Sequence, residues 1–363
     1  MRILRTYVLK EHLAPFLVTL GGLTAVMLIG NVVKLAELVI TKGVGVLDIL
    51  RLLINLIPSL LSFTVPIAAL IAMVMAFGRL SSDYELIAMR ASGIPPTRLI
   101  APLLLTASLI SGSMLLLNDR VVPASHLAFR RQLKAIGIKH PTAYIEAGTF
   151  IKEFAPYIMF VYHVEGTSLH NIRIYEPQPN GPTRTIIANR GEFEPLKDER
   201  TLQLVLYEGT VDQWDPERPG SFYKVSFNKY ALHIATGDEA GRRVGKKLKE
   251  MAFRELRRER ERLAAEQIDP LPITLELHRR IASSFATAVF ALFGLALGLG
   301  SHPHERLILF VWVLGFSMAY YLAFIGTNAI ALKGWMPAWL AMWLPNLAAG
   351  TFGALRLKPH LRH

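Results

Sequence analysis

Six stretches of this 363-residue chain contain no Asp, Glu, Lys or Arg: Leu13–Val33, Leu52–Gly78, Leu99–Asn118, Ile281–His304, Leu307–Leu332 and Gly334–Leu355. Each reaches the roughly 20 residues that a helix needs to cross a hydrocarbon core. Lipid leaves no water to satisfy exposed backbone groups, so runs of this length read as membrane-spanning helices. Three precede and three follow a polar block, residues 121–275, of ordinary globular composition. The chain is 52% hydrophobic and 19% charged, where soluble domains carry about a quarter charged residues. A wholly soluble enzyme and a peripheral protein are excluded. The expected fold is an α-helical membrane protein with six transmembrane helices, three plus three, around one inserted domain.

The net charge of +12 belongs mostly to the segments that flank the spans, where basic residues set orientation. Arg2, Arg5, Lys10, Arg79, Arg90, Arg98, Arg306, Arg356, Lys358 and Arg362 fall on one side; Lys34, Lys42, Arg51 and Lys333 fall on the other. Both termini are therefore expected in the cytoplasm and the polar block outside. Membrane orientation accounts for the basic excess without nucleic acid. With no cysteine in the chain, the inserted block is not a disulfide-stapled module. The first span is too long for a signal-peptide core and has no clear small-x-small exit, so it reads as an uncleaved anchor.

Pro58 and Pro66 interrupt the second span, where they release carbonyls and favour a kink. Gly294 and Gly298 in the fourth give the small-x-x-x-small spacing that lets a neighbouring helix approach. In the block, Tyr157–Val164, Thr201–Tyr207 and Tyr223–Phe227 alternate as strands do, and turn signals such as Glu165-Gly166, Asn180-Gly181-Pro182 and Glu208-Gly209 separate them. The spacing predicts an all-β sandwich or jelly roll. After Gly241 the composition turns to Arg, Lys and Glu, with a thin stripe of Leu248, Met251, Leu256 and Leu263. That segment reads as a solvated helix leading into the fourth span, or one resting on anionic headgroups.

No energy-converting or hydrolytic motif stands in the chain. Gly241-Arg-Arg-Val-Gly245-Lys246-Lys247 lacks the spacing and the hydroxyl of a phosphate-binding loop, and there is no Gly-x-Ser-x-Gly or His-Glu-x-x-His. His302 and His304, two apart across a proline, do not have zinc-site spacing. The spans carry no chain of buried acids or histidines of the kind proton-coupled transport uses. No catalytic residue, metal site or cofactor is expected in this chain, and any energy is expected from another protein.

Three clusters remain. Gly78-Arg-Leu-Ser-Ser-Asp-Tyr-Glu-Leu-Ile-Ala-Met-Arg-Ala-Ser-Gly93 lies between spans two and three. Ser81 or Ser82 could cap a helix over about 81–93, Asp83 and Glu85 suit its first turn, and Gly93 suits its end. Leu86, Met89 and Arg90 would share a face. Such a helix either lies on the membrane or couples to a motor subunit, with Glu85 offered to a basic partner. Lys34, Lys42 and Arg51 stand at the outer ends of spans one and two, as snorkelling anchors or as a cationic collar for a phosphate-bearing substrate. Glu276, Arg279 and Arg280 begin the fourth span, either as a structural ion pair or as part of that collar.

This order of parts resembles the lipopolysaccharide-export permeases LptF/LptG (the YjgP/YjgQ family). The likeness rests on Pro66-Ile-Ala-Ala-Leu through Gly93, on Glu276-Leu-His-Arg-Arg280 and on Leu344-Pro-Asn-Leu, with weaker support from Ala147-Gly-Thr-Phe150 and Asn171-Ile-Arg-Ile-Tyr175. It implies transmembrane helices 1–3 over 1–120 with a coupling helix at about 81–93, a periplasmic β jelly roll and linker helix over 121–275, and helices 4–6 over 276–363. It implies an inner-membrane permease subunit, not an enzyme, that extracts lipopolysaccharide from the outer leaflet and passes it to a periplasmic jelly-roll bridge. Implied partners are a second LptF/LptG-type permease, LptC-like and LptA-like proteins, and an LptB-like ATPase dimer that binds the ATP and magnesium. Coupling would fall on Asp83, Glu85, Leu86, Met89, Arg90 and Gly93. Substrate binding would fall on Lys34, which matches the family's lysine in span one, on Lys42 just after it, and on Arg51, Arg279 and Arg280. The rival readings are an ATPase-coupled permease for another lipid or lipoprotein, a receptor with an external sensor domain, and a membrane-embedded enzyme.

Overall fold

The computed structural model describes residues 2–40, 43–139, 145, 147–151, 154, 156–166, 168–178, 181–195, 201–214, 222–235, 246–300 and 306–361. Two compact units divide the chain: Met1–Gly30, Asn55–Leu127 and Lys246–His363 form one, and Asn31–Ile54 with Ala128–Gly245 form the other. The helical unit draws on α1 (Arg2–Ile40), α2 (Val46–Ser82), α3 (Glu85–Ala91) and α4 (Pro96–Leu116). Beyond α4 the chain passes through a π-helical turn, Leu117–Val121, straight into α5 (Val122–Lys139). The expected boundary at residue 120 thus lies within continuous helix. The second helical set is α6 (Phe253–Ala265), α7 (Leu271–Leu299), α8 (Arg306–Leu332) and α9 (Ala338–Leu361).

Five helical segments among the described residues are long and apolar enough to cross a membrane: Ile3–Ile40, Val46–Ser82, Thr97–Gly137, Leu271–Leu299 and Ile308–Leu332. The sixth charge-free stretch does form a helix, α9, but Trp339, Trp343, Pro345 and Asn346 dilute its apolar character, so it does not join those five. Several helices outrun the membrane. At about 1.5 Å per residue, α1 with its 39 residues extends roughly 58 Å, nearly twice the hydrocarbon thickness. Charge-free runs mark where lipid is; the helices continue past them because their amphipathic ends still pack.

Small residues set the packing of the helical unit. Ala68, Ala69 and Ala72 of α2 are buried with Met73, Phe77 and Leu80, against Leu99, Leu103 and Ala107 of α4 and Ala291, Leu295 and Ala296 of α7. A Cβ placed on Gly294 would sit 2.6 Å from the Leu70 carbonyl oxygen, and one on Gly298 would sit 2.8 Å from Phe77 Cβ. The small-x-x-x-small spacing therefore marks the seam between α7 and α2. A second cluster joins Phe290 and Phe293 of α7 to Val313 and Tyr320 of α8 and Ala349 of α9. By contrast, α1 buries one stripe, Val8, His12 and Phe16.

The other unit holds a six-stranded antiparallel sheet: β1 (Phe150–Ile151), β2 (Ile158–Glu165), β3 (Ser168–Gln178), β4 (Gly181–Pro195), β5 (Thr201–Trp214) and β6 (Phe222–Ala235). Strands that follow each other in sequence are neighbours in the sheet. That is a meander, whereas a jelly roll is two sheets linked by Greek-key crossings. Strand spacing alone cannot separate the two; here the connections join sheet neighbours. Met159, Val161, Ile172, Ile174, Ile186, Ala188, Leu204, Leu206, Leu232 and Ile234 build one buried core. Tyr223 and Val225 are 44% and 46% exposed, so the first half of β6 stands outside that core. Glu208-Gly209 does not turn the chain; β5 runs through it, with Glu208 at φ 51° as a local irregularity. In the same unit Leu35, Leu38 and Val39 of α1 pack with Ile49, Leu52 and Ile136.

Candidate functional site

Within the helical unit, α2, the π turn, the start of α7 and the middle of α8 enclose a cavity of about 420 Å3. Its polar wall is assembled by the turn. A π turn carries one more residue than an α turn and often appears at functional sites. Here it holds Asn118, which is 5% exposed. Ser62 donates from Oγ to Asn118 Oδ1 at 2.7 Å, and Asn118 Nδ2 donates to Ser284 Oγ at 2.9 Å. Ser284 in turn donates to the Arg280 carbonyl at 2.8 Å. One amide thus bridges α2 and α7, with both halves of its side chain satisfied. Beside it, Ser59 Oγ and His126 Nε2 lie 2.8 Å apart.

The charges converge on Glu276, 9% exposed. Arg279 donates to its Oε2 from Nε at 2.9 Å, with a second contact from Nη2 at 2.6 Å. Arg280 donates from Nε to Oε1 at 2.8 Å. Its remaining nitrogens close on the segment before α6: Nη1 donates to the Met251 carbonyl at 2.6 Å and Nη2 to that of Leu248 at 2.8 Å. A buried ion pair is tolerated when such additional bonds absorb its remaining donors. Arg280 is spent on the fold, leaving the partly exposed Arg279 and the exposed Lys249 as the cations of the cavity wall. Phe63, Phe324 and Ile325 give that wall an apolar side.

The segment before α7 is pinned by the same turn. The backbone N–H of Phe253, at the first position of α6, donates to Asp119 Oδ1 at 2.7 Å. Asp119 therefore satisfies an orphan donor that Ala252 lacks the side chain to reach. Glu255 reaches back to the Ala252 N–H at 2.9 Å, and Glu250 to that of Lys247 at 3.0 Å. Leu256 is fully buried with Ile273 and Leu277, and Leu248, Met251 and Leu263 pack around them, so the thin stripe read from the sequence is real. Glu250 is used at Lys247, and α6 is a solvated connector, its arginines mostly exposed, braced along one stripe by Leu256.

Between α2 and α4 the structure changes the expected helix. α2 continues through Ser81 and Ser82, so neither caps; Asp83 and Tyr84 make a tight turn, Tyr84 at φ 57°. The Tyr84 carbonyl then accepts from the N–H groups of Ile87 and Ala88 at 3.1 and 3.0 Å, starting α3 at Glu85. Gly93, at φ 75°, ends the turn, and the Ile94 N–H closes on the Met89 carbonyl at 3.1 Å. This is the left-handed stop that the glycine signalled. Leu86 is buried and Met89 half-buried against the core of the unit, so these two face inward, while Tyr84 and Ile87 are 65% and 60% exposed. Asp83 lies 3.5 Å from Arg79. Glu85 is half-buried and accepts the Tyr7 hydroxyl, which lies 3.0 and 2.9 Å from its two oxygens. Arg90 belongs to α3, but its side chain lies outside the described residues.

The expected outer collar is distributed. Lys34 is exposed on α1 and Arg51 is exposed 3.7 Å from Asp48, both in the unit of the sheet. Lys42 lies outside the described residues, as do His302 and His304. Sequence reasoning missed Lys249 and Asn118. A lone amide ending an apolar run was the available signal for Asn118; Lys249 was hidden inside a run of basic residues. Among the described residues no cluster of three or more His, Asp or Glu is placed to hold a metal ion.

A profile of the family described as lipopolysaccharide export system permease LptF/LptG matches residues 6–359. An uncharacterized protein of Rickettsia prowazekii (strain Madrid E) is 23% identical over 235 residues, 64% of this chain and 64% of that protein. The chain thus spans a little under two thirds of the length of that curated relative. The chain belongs to the LptF/LptG permease family, and is a multi-pass membrane protein with an antiparallel sheet domain.

Proposed function

Taking membership of that family as the premise, we propose that this chain is one permease subunit of a lipopolysaccharide exporter. The observation that carries the reading is the cavity among the membrane helices, with Lys249 and Arg279 beside an apolar wall of Phe63, Phe324 and Ile325. An amphiphile with phosphates on its headgroup meets cations and hydrocarbon together there, and cations close to a bundle interior mark substrate paths. A second, almost wholly apolar groove formed by residues of α7, α8 and α9, including Val311, Phe316 and Phe352, suits acyl chains. Lys34, Lys42 and Arg51 serve as an outer collar that meets the substrate first. In this reading α9 is the sixth span, both termini are cytoplasmic and the sheet is periplasmic, where it hands the lipid to LptC-like and LptA-like bridge proteins.

Force comes from outside the chain. An LptB-like ATPase dimer, which holds the ATP and magnesium, docks at the turn and helix between α2 and α4. Tyr84 and Ile87 are the apolar side chains available to it, with Asp83 and Glu85 supplying the charge and Gly93 the sharp exit. A second LptF/LptG-type subunit completes the cavity.

The test is co-expression with the ATPase and partner permease, followed by mass spectrometry of the co-purified lipid. Lipopolysaccharide is the expected species; a different lipid or lipoprotein would replace the substrate, and no bound amphiphile would remove the reading. In the same complex Lys249→Asp should lower phosphate-dependent lipid crosslinking by about fivefold, the effect of roughly 1 kcal/mol at an exposed charge. Glu85→Lys should leave the protein inserted but end ATP-driven release, and equal release would remove the docking site.

A further inference from the structure

The apolar stretch of α1 is 6% buried, against 67% for those of α2 and α7. Its buried side chains, Val8, His12 and Phe16, recur every four residues and make one stripe near its N-terminal end. Two long-range polar contacts flank that stripe. Tyr7 gives its hydroxyl to Glu85 on α3, and Glu11 accepts from Arg79 Nη1 at 2.6 Å near the end of α2. Arg79 also reaches Asp83 at 3.5 Å, so the turn that launches α3 belongs to the same cluster. α1 thus meets α3 and the end of α2 through these two contacts, while farther along Thr24 Oγ1 lies 3.1 Å from Thr64 Oγ1 of α2.

Hydrogen-bonding capacity decides what Glu85 can do there. A phenol has one proton to give, whereas an ionised carboxylate accepts at about four lone-pair positions. Tyr7 therefore uses a fraction of Glu85, and the half-buried carboxylate keeps room for an incoming guanidinium or ammonium group. A cationic group would be held by a charge-assisted bond, stronger than the one to the phenol. Glu85 can then hold both at once. Leu86 and Met89, packed into the core just behind it, keep α3 from rotating away from α1.

From this we infer that Tyr7 is a positioning residue for transport: it hooks α1 to Glu85, so that displacement of α3 by a docked cationic partner is delivered to α1, with Glu11 and Arg79 as the second strand of the link. The inference rests on the permease reading for its consequence, but the clasp itself is a property of the chain alone. Tyr7→Phe removes one hydroxyl and keeps the ring. The chain has no cysteine, so Ile3→Cys with Ala91→Cys gives two unique spin-label positions, both exposed. In the isolated chain the label distance should be narrow with Tyr7 and broad with Tyr7→Phe. In the complex with the ATPase, Tyr7→Phe should leave association and ATP hydrolysis unchanged and lower lipid release per ATP by about fivefold or more. An unchanged distance distribution, or unchanged release per ATP, overturns the inference. A chain with Tyr7 that recruits no ATPase would instead count against the permease reading, while the distance measurement still judges the clasp.

Discussion

Replacing Arg280 with Met should be among the most damaging single changes in the helical unit, and its size can be worked from the contacts. The side chain is 6% exposed and donates to a carboxylate oxygen at 2.8 Å and to two carbonyls at 2.6 and 2.8 Å. Removing one member of a buried pair costs about 3–5 kcal/mol, because the other charge is left behind. Glu276 keeps Arg279, which places the loss near the lower end, at about 3 kcal/mol or roughly a hundredfold in the folding equilibrium. Glu276→Leu combined with Arg280→Met removes both charges, so the pair of changes should cost less than the sum of the two alone by about 1–3 kcal/mol. The measurement is denaturant unfolding in detergent micelles followed by tryptophan fluorescence, carried round the full double-mutant cycle. A single-mutant cost below about 1 kcal/mol, or a cycle additive within roughly 0.5 kcal/mol, would refute the view that Arg280 works as a structural anchor for the segment before α6.

Two further outcomes are expected from local geometry. A Cβ on Gly209 would meet the Ile187 carbonyl oxygen and the Phe227 ring, whereas one on Gly191 meets the flexible ends of Ile172 and Leu206. Gly209→Ala should therefore lower stability by about 3 kcal/mol and Gly191→Ala by about 1 kcal/mol, read as thermal unfolding of the full chain; equal shifts would contradict the packing argument. The Lys246 ammonium at 2.5 Å, and then the Ala252 N–H, hold the Glu255 carboxyl below the usual carboxylate range. A depressed pKa contributes stability that is present above the ordinary glutamate value and is lost as pH falls through the lowered one. Hydrogen exchange at Phe253–Leu256, corrected for intrinsic rate, should quicken in that acid window, and Glu255→Gln should weaken the pH dependence.

The sequence made the membrane helices legible because a lipid solvent leaves so few options, and charge-free length is a direct measure of it. It placed strands at Tyr157–Val164 and Thr201–Tyr207 because alternation tracks burial, but stopped the second at Glu208-Gly209, through which β5 runs on to Trp214. It placed the stop at Gly93 because only a left-handed residue ends the helix there. It misjudged the start of α3, since Ser81 and Ser82 are as much at home in the last turn of a long helix as in a cap. It put Leu86, Met89 and Arg90 on one face, but periodicity shows which residues share a side and not what covers it; Leu86 and Met89 pack into the core. The cavity was beyond reach for another reason: Ser62, Asn118, Lys249 and Ser284 are far apart in the chain, and no local pattern announces that one amide will bridge two helices. For Arg280 the sequence offered an ion pair with Glu276 or a place in the collar; its two carbonyl partners, which lie about thirty positions upstream, left no local signal.

The π-helical turn at Leu117–Val121 acts as a phase shifter. Each residue of an α-helix advances the side-chain direction by about 100°, so the one extra residue turns α5 relative to α4 by that angle while the rod stays continuous. Asn118 looks toward Ser62 and Ser284 while Asp119 looks toward Phe253. Shortening this segment by one residue would preserve its composition, its helicity and its length within about 1.5 Å, and would still swing the bridge and the clamp out of alignment together. For such a helix the tally of residues matters as much as their identity.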